Sequence, residues 1–118
     1  MEEWRGISGF ERHAISSLGR VKSLNYKNTG EEHILYTKKR RYEQVLLKKD
    51  GERSFFEVHR LVALAFPEIC GEQFPGAEVH HLDGNKLNNA AENLRWVDRS
   101  NHRAEHNHTR IRKPKYYA

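Results

Sequence analysis

The chain has 118 residues, 36% of them hydrophobic and 31% charged, enough for one compact domain with a thin core. Its single cysteine, Cys70, excludes an internal disulfide and any zinc site built from several cysteines. Lysine and arginine outnumber aspartate and glutamate by 21 to 16, and the resulting +5 favours a polyanionic partner without identifying one. No apolar run approaches the roughly 20 residues needed to cross a bilayer. The acidic start, Met1-Glu2-Glu3-Trp4, lacks the apolar stretch of a secretory signal. The expectation is a cytoplasmic protein with no membrane partner.

In chain order, Ala14-Ile15 and Arg20 to Leu24 read as short strands around a turn at Gly19. Asn28-Thr29-Gly30 is a turn signal, and His33 to Tyr36 is a further candidate strand. Tyr42 to Lys48 and Arg53 to Val58 are β-prone runs joined around Asp50-Gly51, a strong short-range hairpin signal. From His59 to Phe66 the apolar residues crowd one side of a short helix, which Pro67 is expected to stop. Residues 68–76 read as a loop.

A short strand is expected at Glu78 to Leu82, a polar connection over residues 83–89, and a return strand at Leu94 to Val97 that takes in Asn93. Asp98 suits the N-cap of a helix starting at Arg99, which places His102 and His106 one turn apart on one face. The fold class is α+β: an antiparallel β-rich lobe over residues 1–57, a strand–loop–strand–helix unit over 58–110, and a basic tail over 111–118.

The chemistry concentrates between Val79 and His106. Successive strand residues face opposite sides, so the adjacent His80 and His81 can serve two different tasks. A hairpin crossed by a helix can bring His80 and His102 to one ion. Taken alone, two neighbouring histidines read as ordinary strand residues; their surroundings reverse that.

Val79-His80-His81-Leu82-Asp83-Gly84-Asn85-Lys86, then Asn89, then Asn93-Leu94-Arg95-Trp96-Val97, resembles the HNH nuclease motif. Its nearest branch is that of phage and intron-homing endonucleases, whose lead-in helix is similar to His59 to Phe66. Glu3-Trp4-Arg5 with Ser17 to Leu24 is similar to a DNA-binding module often fused to these nucleases. The resemblance implies a ββα-metal fold and a DNA endonuclease using one divalent ion, whether Mn, Mg, Ni, Co or Zn. By the same resemblance His81 is the general base that takes a proton from water, work suited to a group titrating near neutrality. His80 and His102 stand where the family places metal ligands, and Asn93 matches the central Asn that braces the loop and so fixes His81. His106 is a ligand in some branches but not in the homing branch, and is carried as a further candidate.

Family products are a 5′-phosphate and a 3′-hydroxyl, and one site cuts one strand. Cleavage of double-stranded DNA then needs a homodimer or two sequential events. Two imidazoles without a carboxylate suit Mn, Co, Ni or Zn better than Mg. Asn85, Asn88 and Asn89 read as loop residues, Trp96 as core, His59 as a packing or capping residue, and Asp83 as turn-forming. The run Lys38, Lys39, Arg40 and Arg41, with Arg20, Lys22, Lys48 and Arg53, is expected to lie against DNA. The rival reading is a non-cleaving DNA-binding module with a structural zinc. Such a site normally takes four protein ligands, and it leaves His81 without a duty.

Overall fold

The structure, a computed structural model, describes residues 2–98. The expected helix from Arg99, with His102 and His106, and the basic tail lie outside these residues. The described part is built from three antiparallel sheets around one short helix.

The first sheet has the order β1 (Trp4–Ile7), β2 (Phe10–Ser16), β3 (Val21–Ser23), β4 (His33–Ile34). Its first strand has no clear period-2 pattern and was not expected from sequence. Strand β1 nevertheless pairs Trp4 with Ser16 and Ile7 with Phe10 across a register shift at Gly6. The second sheet runs β5 (Lys38–Lys39), β6 (Glu43–Lys49), β7 (Glu52–Glu57). Asp50 and Gly51, at φ 53° and 83°, make the two-residue turn that Asp-Gly favours, because both positions need a left-handed backbone. On β6, Glu43, Val45 and Leu47 point inward and are buried, while Leu46 and Lys48 face out.

Helix α1 (Val58–Ala65) buries Val58, His59, Leu61, Val62 and Ala63, and touches strands of all three sheets. The core is continuous from Ile7, Ile15 and Val21 through Val45 and Leu47 to Phe66, Leu94 and Trp96. Phe66 is fully buried, and truncating such a side chain costs about 3–5 kcal/mol. The C-terminal end of α1 is held by Arg5. Its guanidinium lies 4.2 Å from the Phe66 ring centroid, donates to Ala65 O at 2.8 Å and pairs with Glu68. A cation at a helix C-terminus meets the negative end of the helix dipole there.

Pro67 ends α1 and also starts a second short helix, α2 (Pro67–Cys70), where a loop was expected. The missing N–H that breaks a helix interior is harmless at its first position. Cys70 is buried against the last unit, its thiol donating to Ala91 O at 3.3 Å, and burial pushes that thiol up to about 11.

The third sheet is the hairpin β8 (Ala77–His81) and β9 (Leu94–Asp98), pairing His80 with Arg95 and His81 with Leu94. Asn93 does not belong to the return strand. It closes a 3-10 turn over Ala91–Asn93, immediately before β9. Trp96 is core, its Nε1 donating to Ala63 O at 3.3 Å.

Candidate active site

The loop between β8 and β9 is organised by its own side chains. Asp83 Oδ1 accepts from Asn85 N at 2.8 Å, and Asn85 Oδ1 accepts from Leu87 N at 3.0 Å. These are successive Asx turns, the reason Asn and Asp crowd this segment. Asn93 then clasps the loop from its far end. Its Oδ1 accepts from Asp83 N at 3.0 Å, and its Nδ2 donates to Asp83 Oδ1 at 3.0 Å and Asn88 O at 2.9 Å. Hydrogen bonds from Asn88, Asn85 and Asn93 hold the Asp83 carboxyl below the usual carboxylate range.

His81, the last residue of β8, is buried where this loop begins. Its Nε2 lies 2.9 Å from Asn89 Oδ1, and Asn89 Nδ2 donates to Glu43 Oε1 at 3.0 Å. Asn89 and Glu43 are both buried. Glu43 Oε2 in turn accepts from Thr37 Oγ1 at 2.5 Å and lies 3.4 Å from Lys39 Nζ. The chain of contacts thus runs from His81 through the loop to a strand of the second sheet.

A cluster of rings backs His81. His59 is 5.1 Å away between centroids, and Tyr42 lies 5.0 Å from His59 and 6.3 Å from His81. His59 is buried, its Nδ1 has no partner, and it is pushed down to about 4, chiefly by burial, with His81 and Arg60 adding to the effect. It therefore packs as a neutral imidazole at neutral pH.

His80 is half-buried on β8, one position before His81. It is the one expected metal ligand among the described residues, where no group of three or more His, Cys, Asp or Glu gathers. Asp83 is turned into its own loop, where its two oxygens accept from Asn85 N, Asn88 Nδ2 and Asn93 Nδ2. The available chemistry at this position is an imidazole nitrogen, which fits a borderline divalent ion.

The expected DNA-facing cations divide by position. Arg41 and Lys86 lie 6.0 and 5.9 Å from the Tyr42 ring centroid, which sets two cations beside the His81 cluster. Arg40 is exposed next to them. Lys38 lies over Phe55 at 4.5 Å, and Lys48 pairs with Arg53 across the outer face of the hairpin. Lys39 is drawn to Glu43. Arg20 and Lys22 flank Trp4 and are paired with Glu2 and Glu32. Glu43 and Tyr42 carried no signal in the sequence, and Asn89, although within the segment that resembles the HNH motif, had no role assigned beyond that of a loop residue.

A family model described as HNH endonuclease matches residues 57–104, and one described as the NUMOD4 motif matches residues 2–50. The chain is 43% identical over 96 residues to DNA endonuclease I-HmuI of Bacillus phage SP01, covering 80% of this chain and 52% of that protein. An uncharacterized HNH endonuclease of Acanthamoeba polyphaga mimivirus is 36% identical over 102 residues, 84% of this chain and 24% of that one. A solved structure described as DNA binding and cleavage by the HNH homing endonuclease I-HmuI matches with a TM-score of 0.75. It shares 34% identity and covers 96% of this chain and 63% of that one. The chain spans about half the length of I-HmuI. With a NUMOD4 motif over residues 2–50 leading into the strand pair that carries His80 and His81, residues 57–104 form a domain of the HNH endonuclease type.

Proposed function

We propose that this chain is a metal-dependent endonuclease that hydrolyses phosphodiester bonds in double-stranded DNA, one strand per site, with His81 as general base. One observation supports the reading: His81 Nε2 lies 2.9 Å from Asn89 Oδ1, an oxygen that only accepts, so in the neutral ring the lone pair falls to Nδ1. A base held in one orientation by its far nitrogen is what proton abstraction from a positioned water requires. The names of the relatives support DNA as the substrate.

His80 would hold a single divalent ion, with His102 as its second ligand and His106 as a further candidate. Such an ion, when bound, stabilises negative charge on the phosphate and on the leaving oxygen. The chain's own residues do the rest. His81 takes the proton of the attacking water, Asn93 keeps the loop from moving the ring, and His59 and Tyr42 wall the imidazole from behind. Arg41 and Lys86 supply the cationic edge for the phosphates of the strand being cut. Lys38, Arg40, Lys48 and Arg53 extend that edge along the second sheet.

The test is relaxation of supercoiled plasmid with added Mn, comparing wild type with His81→Ala. Wild type is expected to nick, and the variant to lose about 100-fold or more in rate while still binding DNA. A wild-type protein that binds both DNA and metal yet leaves the plasmid supercoiled overturns the reading in favour of a non-cleaving module with structural zinc.

A further inference from the structure

Glu43 belongs to the second sheet, far upstream of the His81 loop, yet it is buried and ends on that loop. A carboxylate has no donor, so the atom of Asn89 that meets Glu43 Oε1 at 3.0 Å must be the amide nitrogen. The carboxamide has only one other end. Its Oδ1 therefore points at His81 Nε2, at 2.9 Å, and an amide oxygen only accepts. For neutral His81 this places the proton on Nε2 and the lone pair on Nδ1. Without Glu43, Asn89 could turn over and present its NH2 to the ring, which would put the lone pair on the wrong nitrogen.

The segment around Asn89 also packs closely against the turn between β2 and β3. A Cβ built on Gly19, in the turn between β2 and β3, would sit 2.9 Å from Asn89 O and 3.0 Å from Asn89 Cβ. Ala91 N donates to Ser17 O at 2.8 Å in the same turn. Thr37 and Lys39 hold the outer oxygen of Glu43. The loop behind His81 is thus braced by both upstream sheets.

We propose that Glu43 is a positioning residue for catalysis: through Asn89 it selects the Nε2–H tautomer of His81. The N-terminal half then completes the active site in addition to any contact with DNA. This rests on His81 being the base, and the experiment separates the two ideas.

Three proteins are compared: wild type, Glu43→Gln, and Glu43→Gln combined with Asn89→Asp. In the double variant the polarity is exchanged. The introduced amide donates to the introduced carboxylate, whose second oxygen again only accepts from His81. Ring-nitrogen NMR at about pH 8, where an ordinary imidazole is neutral, reads the tautomer without any chemistry. Wild type and the double variant are expected to show a protonated Nε2, and Glu43→Gln a mixture.

In nicking, Glu43→Gln is expected to lose about 10–100-fold in kcat with KM for DNA unchanged, and the double variant to recover most of it. If Glu43→Gln keeps the wild-type tautomer and kcat, or the double variant restores neither, the positioning role is lost while the nuclease stands. If wild type fails to nick but the tautomer follows Glu43 as described, the hydrogen-bond relay stands and the assignment of His81 as base falls.

Discussion

Asn93 and Asp83 hold each other by a reciprocal pair of hydrogen bonds. The Asp83 amide donates to Asn93 Oδ1 and Asn93 Nδ2 donates to Asp83 Oδ1, both at 3.0 Å. The clasp closes the loop that begins at His81, so its loss should be felt both in stability and in the position of the ring. Asn93→Ala removes three side-chain hydrogen bonds, including that to Asn88 O. At a net 0.5–1.5 kcal/mol each this is about 3 kcal/mol, or roughly 10 °C in Tm for a domain of this size. Thermal denaturation followed by circular dichroism checks the first effect. Nicking at 20 °C, where the variant remains folded, should fall further than the unfolded fraction accounts for. Equal losses would mean that the clasp serves stability alone.

Gly19 sits in the turn between β2 and β3 at φ 89°, against the backbone of Asn89. Alanine there meets both left-handed strain and a 2.9 Å contact with Asn89 O, at a combined cost of about 2–3 kcal/mol. Gly9 is the control, with φ 86° and nothing within 4 Å of an added Cβ. Gly9→Ala should lower Tm modestly and leave kcat unchanged, whereas Gly19→Ala should lower both. Indistinguishable variants would show that the turn does not position Asn89.

His59 is pushed down to about 4 by burial beside His81 and Arg60. Its pKa when folded lies below the value near 6.5 that it has when unfolded, so the unfolded chain binds more protons between the two. Stability is then fully present above about pH 6.5 and is lost as pH falls toward 4, by on the order of 3 kcal/mol. His13, also lowered by burial, acts with the same sign. Urea denaturation between pH 7 and pH 4.5 should show the loss, and His59→Leu should remove most of the slope. An unchanged slope in that variant would assign it elsewhere.

An imidazole set without a free carboxylate favours borderline ions over Mg. Mn, Co or Ni should support nicking at lower concentration than Mg, and His80→Ala should raise the Mn requirement by about 10–100-fold. Mg as the best activator would count against His80 as a ligand.

Short-range chemistry was readable directly from the residues. The Asp50-Gly51 hairpin, the amphipathic helix ahead of Pro67, and the asparagine-rich loop between β8 and β9 each depend on neighbours a few positions away. The different exposure of the adjacent His80 and His81 on one strand follows from the period-2 alternation of strand side chains. Where local signals were weak or had two meanings, the sequence reading stopped short. Strands β1 and β5 are edge elements too short to show an alternating pattern, although each pairs with the next strand in the chain, and Pro67 can end one helix while starting another.

The connection of Glu43 to Asn89 and His81 was decided only by tertiary structure. A glutamate in an alternating strand carries the same local signature whether it faces water or a buried amide. Which it meets depends on how α1 packs the second sheet against the loop, an arrangement set by the shared apolar core. The residues thus determined which groups could do chemistry. Packing determined which of them are held, in which orientation, and by residues from how far along the chain.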